Sequence, residues 1–220
     1  MDNLQNGRLV DPELEPQTQG RLRQVPGKIG NAVQIPGTGQ YIDVGSFTDS
    51  CVGNTSMCLY GLTISFWVNI VNMEDNMYLM ASGLYGFTIF TYSKRLYVSV
   101  QNGDRQWQTS APGIDSGVWY FVESTWNSIS GVEIYINQKM KGSQRTSSHH
   151  EIQSDRYDNF YIGRTNTRMY NEKYAAAIFD HVAIYNADRD RLLSLNFIQR
   201  GETNVASAFM RHFCMFMFLL

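Results

Sequence analysis

The sequence predicts an all-β fold, a jelly-roll sandwich of two antiparallel sheets with one short C-terminal helix. Three observations carry this expectation. Within residues 58–71, Ile64, Phe66, Val68 and Ile70 share one face of an extended chain while Ser65, Trp67 and Asn69 share the other; a period of two marks a half-buried strand. Short alternating runs then recur at intervals of roughly 8–12 residues with turn residues between them. Only residues 188–199 show helical spacing, through Leu192, Leu195 and Ile198 with Leu193 and Phe197, and Gly201 is placed to cap that helix.

Taken in order, residues 1–24 read as an irregular entry arm, with Pro12 and Pro16 and little periodicity. Segments 32–35 and 40–44 form two short strands joined at Pro36-Gly37, a turn dipeptide. After the long strand, segments 78–81, 86–92, 96–101 and 106–109 are separated by Ser82-Gly83, Ser93-Lys94 and Asn102-Gly103. Asn-Gly between alternating runs is the strongest short hairpin signal. Segments 118–126 and 131–137 pair near Ser130-Gly131, and Asn137-Gln138 turns into 139–141. A polar loop over 142–155 precedes strands at 160–163 and 176–185. The domain spans 25–201, and residues 202–220 form an apolar tail.

A chain of 220 residues, 43% hydrophobic and 13% aromatic, suffices for one large β domain. Eighteen basic against twenty acidic residues, with no block of like charge, argue against a nucleic-acid partner, which needs a clustered basic face. The first residues lack the basic start and apolar run of a secretory signal. Cys51 and Cys58 nevertheless flank Asn54-Thr55-Ser56, a glycosylation sequon at Asn54. A close cysteine pair with a sequon suits an oxidising, extracellular or cell-surface setting. The chain is therefore expected to be a piece of a longer secreted or membrane-anchored protein. The apolar run 213–220 is far shorter than the ~20 residues of a membrane-spanning helix. It reads either as the start of a truncated span, the one route to membrane association, or as an extension without a fold.

Four segments in register carry a family resemblance: GKIGNAVQIPGTGQYIDV followed by GLTISFWV, then VWYFVESTWNSISGVEIYIN, then FYIGR, then FDHVAIYNAD before the helix. They resemble the laminin G-like domains, pentraxins included, of the concanavalin A-like lectin/glucanase superfamily, over roughly residues 25–200. The resemblance implies a jelly-roll sandwich acting as an extracellular binding or adhesion module for a glycan or a protein. The departures are local. Ile35-Pro36-Gly37 stands where the family carries an apolar-Asp-Gly string, Asn137-Gln138 where it has Asn-Gly, and Asp180-His181 where it has Asp-Glu. The strand that usually begins such domains looks degraded or missing.

Each chemical candidate competes with a plainer reading. Superfamily hydrolases use E-x-D-x-x-E on one strand face, and no such string occurs here, so a degenerate glycosidase is a remote reading. Along 178–184 the period puts Asp180 with Ile178, Val182 and Ile184, on a core face. There a carboxylate must be hydrogen-bonded or metal-paired. The resemblance suggests a structural calcium, with Asp180 as one ligand; the alternative is backbone N–H donors at a sheet corner. His149-His150-Glu151 invites a zinc reading but reads better as a solvated loop. Trp67, Trp119 and Trp126 invite a sugar-stacking reading, but Trp119 and Trp126 match family positions that resemble core; Trp107 beside Arg105 is the better surface candidate for a ligand platform, against packing as its plainer reading. The ligand loops are expected at 49–60, 102–105, 142–155 and 165–173. The competing role is a ligand-free structural or oligomerising spacer.

Overall fold

The computed structural model describes residues 17–83, 86–151, 158–167 and 173–194, together with the short segments 4–5, 8–9 and 215–218. In chain order the strands are β1 Leu4–Gln5, β2 Arg8–Leu9, β3 Gln17–Gln19, β4 Arg23–Pro26, β5 Asn31–Pro36, β6 Tyr41–Ser46 and β7 Leu62–Ile70. They continue as β8 Met77–Ser82, β9 Phe87–Tyr92, β10 Arg95–Asn102, β11 Arg105–Pro112, β12 Trp119–Asn127, β13 Gly131–Ile136 and β14 Lys139–Gln144. Last come β15 Ser148–His149, β16 Asn159–Ile162, β17 Lys173–Tyr174, β18 Ala176–Tyr185, the helix α1 Arg189–Ser194, and β19 Met215–Phe218.

Two sheets hold the chain together. One runs β15-β11-β10-β9-β8-β16-β6-β3, with β17 paired to β8. The other runs β14-β13-β12-β7-β18-β5-β4, with β19 paired to β18. All pairings are antiparallel except β17 on β8. The jelly-roll sandwich anticipated from the alternation is the fold observed. β7 sits near the middle of its sheet, and its inward Ile64, Phe66, Val68 and Ile70 are all buried. They pack in one core with Leu79, Ile89 and Val98 from the opposite sheet. Branched aliphatics on one side of a pleated strand meet their counterparts across the sandwich and leave water together, which is the main stabilising term.

The N-terminal arm differs from expectation. β3 pairs with β6 and β4 with β5, so residues 17–19 and 23–26 are sheet edges rather than irregular chain. Their polar, weakly alternating sequence hides this, because edge strands gain most from backbone bonding and little from side-chain burial. Part of the apolar C-terminal run is likewise a strand: Met215–Phe218 lies antiparallel to Val182–Tyr185. Among the described residues no helix is long and apolar enough to cross a membrane. The helix starts as expected, with Asp188 Oδ1 accepting from the Arg191 N–H at 2.9 Å as an N-cap. The expected stretch 195–199 and its Gly201 cap lie outside the described residues.

Turn chemistry sets the hairpin registers. Tyr92 faces Arg95 across Ser93-Lys94, and Ile136 faces Lys139 across Asn137-Gln138; all four loop residues have positive φ. That is the type I′ geometry matching strand twist. At the Asn-Gly signal the loop is shifted by one. Asn102 pairs with Arg105, and the turn residues are Gly103-Asp104, with only Gly103 at positive φ (59°).

Candidate ligand-binding cavity

A cavity of about 200 Å³ opens on the outer face of the nine-stranded sheet. Its position follows from alternation. Val98 and Val100 of β10 point inward and are buried, so Ser99 and Gln101 point outward, and Thr88 and Phe90 of β9 do the same. Gln106 and Gln108 of β11 continue the outward row, since the intervening Trp107 faces the core. Tyr78 of β8 lies across from Phe90. His150 and the segment Thr165, Asn166 and Thr167 complete the wall.

The lining combines amides and hydroxyls with aromatic faces. Tyr78 and Phe90 have ring centroids 5.6 Å apart, and the row continues outward from Phe90 to Tyr97 at 5.2 Å. Gln106 Nε2 donates to Ser99 Oγ at 2.6 Å. Gln101 is only 3% exposed; its Nε2 donates to the Gly103 carbonyl at 3.2 Å, and its Oε1 has no partner. His150 Nε2 is likewise buried and unpaired. Buried polar atoms without partners are rare in folded proteins and cost free energy. Both residues line the cavity, but these two atoms lie beneath its surface with almost no exposure of their own.

The end of the cavity near Gln101 is braced by the disulfide loop. Cys51 and Cys58 are bonded, with Cα atoms 4.6 Å apart, as their spacing suggests. The loop they close carries a 3₁₀ turn, Thr55–Met57, capped by Asn54, whose Oδ1 accepts from the Ser56 N–H at 3.1 Å and from Ser56 Oγ at 2.6 Å. Thr55 is buried and donates to the Gln101 carbonyl. Ser82 Oγ donates to the Val52 carbonyl, and Asn166 Nδ2 to the Gly83 carbonyl. At Gly83 the backbone has φ +55°, and a Cβ would lie 1.9 Å from the Gly53 carbonyl oxygen, so only glycine allows the loop to seat.

The two ligand candidates read from sequence do not form this site. Trp107 is 3% exposed, stacks edge-on against Trp126 at 5.4 Å, and donates its indole N–H to the Arg145 carbonyl at 3.1 Å. It is a core residue: it pairs with Val100 and shares that residue's inward face. Arg105 is exposed at the strand end, on the Trp107 side of the alternation and away from the cavity. Two of the four expected loops do contribute, through His150 and through Thr165 to Thr167. The strand-face amides escape a sequence reading because polar outward residues usually mean a solvated face.

Asp180 is fully buried but lies on the outer face. It pairs across from outward Trp67, while Val182 and Ile184 point inward. A bulge between Asp180 and Ala183, with His181 at φ 48°, inverts the alternation there. The turn before β5 covers the carboxylate: the Ile29 N–H donates to Asp180 Oδ2 at 2.9 Å, and a Cβ on Gly27 would sit 2.7 Å from that oxygen. Asp180 Oδ1 contacts His181 Nδ1. The carboxylate thus has a backbone donor and an imidazole as partners. Among the described residues no group of three His, Cys, Asp or Glu side chains converges as metal ligands. His149 is exposed and lies 3.5 Å from Asp104.

A second polar cluster lies beneath α1 on the outer face of the other sheet. Glu123 is buried and pairs with Arg189, whose guanidinium also lies 4.3 Å from the centroid of the Tyr135 ring. Burial raises the Glu123 carboxyl above its ordinary value, against the lowering pull of Arg189. Burial also raises the Tyr185 and Tyr135 phenols, and Glu133, which accepts from Tyr135 at 2.6 Å, pushes Tyr135 further up. The helix closes over this cluster, which fastens α1 to the sandwich.

A family model of laminin G type, described as concanavalin A-like lectin/glucanases superfamily, matches residues 36–191. The chain belongs to this superfamily. It has no significant sequence match among curated proteins. Among solved structures it is similar to the receptor-binding domain of botulinum neurotoxin C/D mosaic serotype, with a TM-score of 0.61 and 17% identity over 88% of this chain and 50% of that one. It is also similar to the binding domain of botulinum neurotoxin DC in complex with SialylT, with a TM-score of 0.59 and 15% identity over 84% and 47% of the two chains. A third likeness is to domain 4 of AbnA, a GH43 extracellular arabinanase from Geobacillus stearothermophilus, in complex with arabinotriose. There the TM-score is 0.54 and the identity 14%, over 79% of this chain and 83% of that domain. The chain spans about half the length of the toxin domains. At these identities the likeness is one of fold.

Proposed function

We propose that this protein is a non-enzymatic carbohydrate-recognition domain that takes a sugar into the cavity between Tyr78, Phe90, Gln101 and His150. The observation that carries the reading is chemical. Ser99, Gln106, Gln108 and Thr165 put hydroxyls and amides on the wall of a cavity that also offers the aromatic faces of Tyr78 and Phe90. Sugars present hydroxyls around a ring whose C–H faces stack on aromatic side chains, so such a wall matches them on both counts. The similar solved domains in complex with SialylT and with arabinotriose support the reading as analogies of fold. A ligand here would sit on a sheet face, with the loops serving as its rim.

The reading is of binding without catalysis. Retaining glycosidases need two carboxyls about 5–5.5 Å apart, and the described lining residues include no carboxylate. The domain works outside the cell or at its surface, with the Cys51–Cys58 bond and the Asn54 sequon suited to that setting. A glycan array probed with the purified protein tests the function. Retention of at least one saccharide, lost in the Phe90→Ala and Gln106→Ala variants, is the expected result. Retention unaffected by both variants would move the site elsewhere.

A further inference from the structure

Resting on that carbohydrate reading, we infer that the cavity takes a single uncharged sugar unit, without a divalent cation. The charge of the wall is the first argument. The described lining residues contain no lysine, arginine, aspartate or glutamate. The guanidinium of Arg164, next along the chain from Thr165, lies 4.7 Å from the Tyr41 ring and 4.8 Å from the Tyr161 ring, and its Nε donates to the Thr165 carbonyl. It serves packing and the backbone. A sialic or uronic acid would bring a carboxylate to a described wall that offers no lysine or arginine, only the imidazole of His150, and a poorly paired desolvated charge is costly.

The second argument concerns cations. Calcium requires six to eight oxygen ligands, carboxylates prominent among them, and the described wall supplies no carboxylate. Size is the third: about 200 Å³ falls below the ~300 Å³ at which pockets begin to hold drug-sized ligands, leaving room for about one sugar ring.

Isothermal titration of the whole chain decides the matter. The titrants are methyl glycosides of galactose, glucose, mannose and arabinose, then N-acetylneuraminic acid and glucuronic acid, each with calcium and again with EDTA. A neutral glycoside should bind equally in both buffers, with the acids at least about tenfold weaker, and Gln106→Leu should weaken it by about tenfold or more. Gln108→Leu, at an exposed position, provides the same reading if Gln106→Leu fails to fold. An acidic sugar bound as tightly as any neutral one, or binding abolished by EDTA, overturns the inference and leaves carbohydrate recognition standing. If no sugar of either kind binds, both fall.

Discussion

The buried hydroxyl of Thr55 donates to the main-chain carbonyl of Gln101, tying the disulfide loop to the strand that floors the cavity. Thr55→Val keeps the shape and removes the donor, leaving a buried carbonyl short of a partner. A loss of about 1–2 kcal/mol in chemical denaturation is expected, with weaker binding although Thr55 does not line the cavity. Unchanged affinity in the folded variant would show that the tie has no bearing on the site.

Reducing the Cys51–Cys58 bond should destabilise the domain by about 2–3 kcal/mol, as expected in the chain-entropy account for a loop of about eight residues. Melting with and without reductant measures it. The loop also seats against Gly83, so a cysteine-free variant should lose sugar affinity along with stability.

Gln138 and Lys94 occupy exposed hairpin loops at φ 67° and 57°. Side chains with a Cβ are disfavoured in that region, so Gln138→Gly and Lys94→Gly should each stabilise by about 1 kcal/mol. Denaturant midpoints test this; a loss of stability in both would mean that the loops do not have the backbone described.

Folding raises the Glu123 pKa, with burial outweighing Arg189. The protonated carboxyl is therefore the form the fold prefers. Its stabilising share is complete below the ordinary value of 4.5 and is lost as pH rises through the folded value. Arg189→Leu removes the one pull that favours ionisation. At pH 7 the variant should lose about 3–5 kcal/mol, the usual cost of orphaning a buried charge, and should recover part of that as the solution is acidified. A loss independent of pH would place the damage in the packing of α1.

Asp180 accepts from the Ile29 N–H and contacts His181. Asp180→Ala should cost about 1–3 kcal/mol by leaving those groups unpaired under the turn. Adding EDTA to the wild type should leave its melting temperature unchanged. A drop would assign Asp180 to a cation.

Much of the scaffold was legible because alternation is a physical signal: Ile64, Phe66, Val68 and Ile70 face the core as their spacing demands. Three features were not. The bulge at His181 adds a residue without any change in composition, so Asp180 was assigned to the wrong face. Trp107 was read as a surface residue from its place beside exposed Arg105 after a turn, whereas it shares the inward face of its partner Val100. The cavity draws Ser99, Gln101, Gln106 and Gln108 from two strands and His150 and Asn166 from distant loops. Nothing local distinguishes those residues from an ordinary wet sheet face until register brings them together.

β7 is bonded to β12 on one side and to β18 on the other. As the chain leaves the ribosome, this apolar strand emerges early, yet its second neighbour follows only about a hundred residues later. Throughout that interval one full edge of the core is open to other chains. The protein's hazard is therefore one of timing. Slowing synthesis between β12 and β18 should favour aggregation over folding, even where the finished sandwich is stable.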